Sequence, residues 1–361
     1  MESGRIKFKN PATAFMLFLM VFFIGISIIS EFVVYALIEN GVPREIFTSM
    51  WYFIVMQVLR LILPLGIWLV ITKDKFKRHM PNQPLDMLNL VYIFFISILA
   101  IPAMMLISGI SSLFVNNDAA ELLAGISGAG HSWIMMMLAV AVTPGIVEEV
   151  VFRGYIQSTT RGSIKKIAIF NGLLFGLMHL NLHQFMYTFI LGIFFAYMVY
   201  YTRSIWSAIF SHFLVNGVNV SLMYWVTQSY DYSAEAVADQ TFAQMMYDSL
   251  AGTDPEMAQR VYDMFYGVNM EWVAIGMIGF IAIFATIGAV VLFNVFIKHN
   301  RQRNAEFDVA QGTNEEPEVI LEDENIITVE NEIPPRFKVD WCLVAVVVIY
   351  IAFTIGLPLL L

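Results

Sequence analysis

The run Thr143-Pro144-Gly145-Ile146-Val147-Glu148-Glu149-Val150-Val151-Phe152-Arg153 sets two adjacent carboxylates and an arginine in an otherwise apolar stretch. Further on, His179 follows Phe175-Gly176-Leu177-Met178, and His212-Phe213-Leu214-Val215-Asn216 pairs a histidine with an asparagine. Ionisable groups in apolar segments are costly to keep, so each marks a functional position by default. Glu149 and Arg153 stand four residues apart with the acid first, share one helix face and can neutralise each other. That pair reads as structural. Glu148 is turned about 100° from Glu149 and can face something else. His212 and Asn216, also four apart, project together. A carboxyl group in a low-dielectric site without a cation beside it holds a proton readily, which suits a general acid/base acting on water. A histidine with an asparagine offers N–H donors to a developing oxyanion. Glu148, His179 and His212 are equally a ligand set for a divalent metal such as zinc, with an open position for water. The residues alone leave both chemistries open.

The elements that must position these groups are transmembrane helices. Of 361 residues, 58% are hydrophobic and 14% charged, which excludes a water-soluble fold. Apolar runs able to span a bilayer fall at 12–38, 47–71, 88–114, 132–160, 164–181, 184–202, 204–226, 272–297 and 341–361. The fold class is therefore all-α, a polytopic transmembrane bundle of about nine spans. Counted from the inner boundary, at Arg161, Lys165 and Arg203, at about 1.5 Å per residue, Glu148 lies about 20 Å deep, His179 about 21 Å and His212 about 14 Å. All three depths fall inside a hydrocarbon core of about 30 Å, so groups far apart in sequence can meet at one level.

The first run follows Arg5, Lys7 and Lys9, as a signal peptide would, but it is too long and lacks a small-residue cleavage site, so it reads as a retained helix. With the N-terminus inside, 17 of the 20 Lys and Arg residues fall in cytoplasmic segments or at their edges. Arg44 and Arg260 fall outside and Arg60 lies within the second span. The expected location is a plasma or inner membrane, with the N-terminus cytoplasmic and membrane lipid as a partner.

The chain divides into N-terminal helices (1–129), a core with the chemical residues (130–226), a polar extracytoplasmic insertion (227–271), a further span (272–297), an acidic cytoplasmic linker (298–340) and a last span (341–361). The insertion carries periodic apolar residues and reads as one or two short helices. The formal charge of −9 arises mainly in the two polar stretches, and no nucleic-acid footprint is present. Cys342 is the single cysteine, so no intramolecular disulfide can form, and it reads as a small packed or lipid-facing hydrophobe.

Glu148 to Arg153 resembles the EExxxR motif of the CPBP intramembrane proteases, which include the type II CaaX prenyl endopeptidases and the Abi-like bacterial proteins linked to bacteriocin self-immunity. Phe175 to His179 is similar to the family's FxxxH motif and His212 to Asn216 to its HxxxN motif, in the family's order. The resemblance covers roughly 130–226. It implies peptide-bond hydrolysis within the membrane on a peptide or protein substrate. Glu148 would activate water, His179 orient it, His212 and Asn216 steady the oxyanion, and Glu149 and Arg153 brace the site. It leaves open whether a metal takes part.

Other polar residues have plainer readings. His183 stands near the outer boundary and reads as interfacial, while Arg60 and Glu31 would snorkel or pair between helices. Met135 to Met137 read as packing, and Pro144 with Gly145 can kink the fourth span and free a carbonyl near the site. The alternative class is a non-catalytic immunity factor, scaffold or proton-coupled transporter. A transporter would show repeat symmetry or polar residues strung from one side of the membrane to the other, whereas here they bunch in the fourth, fifth and seventh spans.

Overall fold

The computed structural model describes residues 8–115, 130–229, 242–265, 270–310 and 339–356. Among these the chain is helical, and extended pairing is limited to one isolated bridge between Asn82 and Ser204. The first helix, α1 (Pro11–Glu39), starts where the Asn10 side chain accepts the Thr13 N–H and Pro11 supplies a preset φ. Ser49 and Asp86 cap α2 (Met50–Thr72) and α3 (Met87–Ser112) in the same way. A continuous helix, α4 (Trp133–Thr159), follows. Next come α5 (Ile164–Met178), α6 (Leu182–Thr202) and α7 (Ile205–Ser229). Two short helices, α8 (Phe242–Ala251) and α9 (Pro255–Phe265), precede the long α10 (Met270–Ala310) and α11 (Trp341–Ile351).

Seven of these helices (α1 to α4, α6, α7 and α10) are long and apolar enough to cross a membrane. Of the other two expected runs, one appears as the shorter α5, and the last, α11, is described only as far as residue 356. At 15 residues, α5 is about 22 Å long, less than a bilayer core. It stops at His179 because Leu180 takes a left-handed conformation (φ 48°) and the Asn181 side chain caps α6 at once. The eighth run also differs from expectation. Its helix continues past Ile297 to Ala310, since the polar segment finds partners: Arg203 pairs with Asp308 at 2.6 Å, Asn300 donates to Asn89 at 2.7 Å and Arg303 donates to the Pro84 carbonyl. The insertion does form two helices, α8 and α9, packed on each other through Tyr247 and Tyr262. Residues 230–241 and 266–269 of the insertion and 311–338 of the linker lie outside the described residues.

Two packed groups flank α4. On one side α1, α2, α5 and α11 bury Phe15, Met16, Leu65, Trp68 and Val346 against Phe152 and Tyr155, with Trp68 Nε1 donating to the Tyr155 hydroxyl at 2.6 Å. On the other, α3, α6, α7 and α10 join through Ile101, Leu191, Phe195, Val215 and Phe296. Large apolar side chains such as Phe32, Phe280 and Phe284 stay outside, as helices solvated by lipid require. The α5–α6 hairpin is very close. A Cβ on Gly172 would lie 2.5 Å from the Phe189 carbonyl oxygen, and one on Gly192 would lie 2.6 Å from the Gly172 Cα. Small residues let two backbones touch where lipid offers no hydrophobic drive to pack.

Candidate active site

The helix that carries the glutamates is not regular. Two π-helical turns, Met137–Val142 and Val150–Ile156, enclose one stretch of α-helix, Thr143–Glu149. Pro144 contributes to this, because an α-helix would satisfy the Val140 carbonyl with an N–H that proline lacks. The Asn216 side chain from α7 donates to that carbonyl instead, at 3.1 Å. Thus the carbonyl expected near Pro144 is present, and Asn216 occupies it.

Glu149 and Arg153 are fully buried and paired, Arg153 Nη1 donating to Glu149 Oε1 at 3.1 Å. Arg153 Nη2 donates to the Gly192 carbonyl at 3.2 Å, and its guanidinium lies 4.5 Å from the Phe175 ring centroid and 5.2 Å from that of Phe195. The pairing expected from the sequence holds, and the structure adds a partner. His212 Nδ1 donates to Glu149 Oε1 at 2.7 Å. An imidazole that donates from Nδ1 presents Nε2 on its other edge. His212 Nε2 lies 4.0 Å from Glu148 Oε2, and Glu148 is the more open of the two acids, its side chain 19% exposed against none for Glu149. His179 donates from Nδ1 to the Phe175 carbonyl at 2.8 Å, so it too presents Nε2. Phe175 packs edge-on against both imidazoles, at 4.9 Å from His179 and 6.1 Å from His212, and Phe195 stacks on His212 at 5.2 Å. A carboxyl group open enough to meet water therefore stands beside an oriented imidazole, and a buried ion pair fixes that imidazole.

Residues 130–218, which hold α4 to α6 and most of α7, match a family model described as type II CAAX prenyl endopeptidase, Rce1-like. This region belongs to the CPBP family. The seven long apolar helices make the chain a multi-pass membrane protein. No curated protein and no solved structure matches the chain. All seven motif residues lie inside the matched region.

His183, read above as interfacial, is not. It is 1% exposed and its Nε2 sits 3.1 Å from the Ser108 carbonyl of α3. The sharp turn at residues 179–181 starts α6 early and points its first turn at α3 rather than at water. Arg60 is half-buried with its guanidinium 5.4 Å from the Phe23 ring centroid, Glu31 is exposed and Cys342 is packed. Met136 is fully buried, in line with packing.

The donors Glu148, His179 and His212 have the chemistry of a zinc site, since each imidazole has its Nδ1 tied to an acceptor. Among the described residues, however, no three His, Cys, Asp or Glu side chains converge closely enough to hold an ion as they stand. Sequence reasoning passed over Phe195, Asn171 and Gln57. Asn171 is fully buried and donates to the Phe152 carbonyl at 2.9 Å, and Gln57 donates from α2 to the Ala139 carbonyl at 2.8 Å. For the two amides the available signal was polarity in an apolar span, and Phe195 offered none.

Proposed function

We propose that this chain hydrolyses a peptide bond of a membrane-associated or lipidated peptide or protein, using a water activated by Glu148. The observation that carries this reading is the chain of contacts Glu148, His212, Glu149, Arg153, in which one buried ion pair orients an imidazole beside the more open carboxyl group. Glu148 takes a proton from water, and the water oxygen attacks the scissile carbonyl carbon. His179, presenting Nε2, orients that water. The oxyanion is met by Asn216, whose amide carries a second N–H besides the one on Val140, and by His212 when its Nε2 is protonated. Glu148 then returns the proton to the leaving amine as the carbon–nitrogen bond breaks. A divalent metal such as zinc on Glu148, His179 and His212 would polarise the same water, and would require these side chains to turn toward one another.

The protein sits in a plasma or inner membrane with its N-terminus and the basic ends of α2, α6 and α10 in the cytoplasm. The excess of Lys and Arg in those segments supports this orientation. The reading is tested by incubating the purified protein in liposomes with a library of prenylated and unmodified peptides, with and without a chelator. Cleavage by wild type that Glu148→Gln lowers at least about hundredfold is the expected result. A Glu148→Gln protein that folds and cleaves like wild type overturns the role of Glu148. Loss of activity with the chelator, restored by zinc, would move the chemistry to a metal.

A further inference from the structure

The π-helical turns of α4 move the backbone donor of a carbonyl one residue on: the Thr143 N–H reaches Leu138 and the Gln157 N–H reaches Phe152. The residue so placed to serve Ala139 is Pro144, which has no N–H, and in a span such a group is expensive unless another donor is found. Side chains meet the carbonyls of Tyr155 and Ile156, from Ser158, Thr159 and Thr160, and four others in these turns. Thr143 Oγ1 donates to Leu138 at 2.7 Å, Gln57 to Ala139 at 2.8 Å, Asn216 to Val140 at 3.1 Å and Asn171 to Phe152 at 2.9 Å. These donors come from α4 itself, α2, α7 and α5. The regular stretch between the turns carries Glu148 and Glu149. A π-turn holds one residue more than an α-turn, so drawing it back to α geometry would rotate the helix beyond it by about 100°. Where the turns begin and end thus decides which way the two glutamates face.

We infer that Gln57 is a positioning residue of the hydrolytic reaction: its amide holds the first π-turn of α4 open, and so aims Glu148 at the substrate and Glu149 at His212. Gln57 lies outside the CPBP core, so a helix beyond the family match completes the site. The inference rests on the role of Glu148 proposed above, but the orientation it concerns is measurable without turnover. Leaving out the Gln57 amide favours collapse of the first turn, since the Ala139 carbonyl then regains a partner only in α geometry, from the Thr143 N–H.

The test uses the full chain in lipid nanodiscs, with Gln57→Met, which keeps the length of the side chain and removes the donor, and Gln57→Glu, which donates only when protonated. Nitrogen-15 histidine spectra, with His212 assigned through His212→Gln, report the Nδ1–H bond to Glu149. Expected for Gln57→Met are a shifted His212 signal and a kcat lower by about tenfold or more, with KM changed by less than about twofold. For Gln57→Glu, the His212 signal returns toward wild type as pH falls, a trend Gln57→Met lacks; this arm serves if Gln57→Met does not fold. An unmoved His212 signal and wild-type kcat in both Gln57 variants overturn the inference. If wild type cleaves no peptide, the protease reading fails, and the His212 signal still decides whether the Gln57 amide aims the glutamates.

Discussion

Glu149 Oε1 accepts from two donors at once, Arg153 on its own helix and His212 on α7. A buried charge whose partner is removed cannot recover solvent, so Arg153→Met should destabilise the protein by about 3–5 kcal/mol. Thermal unfolding in detergent measures this. Arg153→Lys should rescue it only in part, because a single ammonium cannot bond Glu149 and the Gly192 carbonyl with the planar fork that Arg153 uses while lying against Phe175 and Phe195. The pairing of Glu149 with Arg153 was legible from their spacing. Its bond to His212 was not, because the two residues are 63 positions apart and meet only when α4 and α7 pack.

The α5–α6 hairpin carries His179 at its turn, and its closeness depends on having no side chain at residues 172 and 192. Gly192→Ala would drive a methyl group into the Gly172 Cα, which must move α5 and with it His179. The expected outcome is a loss of about 1–3 kcal/mol in stability, together with a fall in activity larger than a surface substitution produces. Unfolding and peptide cleavage on one preparation check both. The apolar run at 164–181 announced a helix, but its early stop came from local backbone chemistry at Leu180 and Asn181 that hydrophobicity does not report.

Across the whole molecule, the basic end of the bundle is tied together by the loop after α2. His79 bonds Ser158 at the end of α4 at 2.7 Å and Asp74 at 2.9 Å, and the Asn82 backbone pairs with Ser204. Burial works against the charge on Asp74, yet the bond from His79 and the Lys75 N–H hold its carboxyl below the ordinary range. A depressed carboxylate stabilises the fold above its unfolded pKa and ceases to do so as pH falls through the folded value. Asp74→Asn should therefore cost about 1 kcal/mol at neutral pH, and the gap to wild type should close under acidic conditions, as thermal midpoints across pH will show. The proposed orientation has its own check. In a Cys342→Ser background, a cysteine replacing Thr253 should react with a membrane-impermeant thiol reagent on intact cells, and one replacing Lys77 should react only after permeabilisation. The reverse pattern would invert the topology.

The sequence by itself determined that the chain is a helical membrane bundle, since composition and run length admit little else once every backbone polar group must be satisfied within lipid. It also marked the seven residues of the three motifs, through their types and their spacing. Tertiary structure alone decided that Glu149 and not Glu148 holds His212, that His183 is buried against α3, and that amides from α2, α5 and α7 bond carbonyls in the π-turns of α4. These contacts join residues from 19 to 82 positions apart. Local periodicity carries no record of which partner a side chain will meet, because that depends on how the helices pack and on donors that other helices bring to the same level.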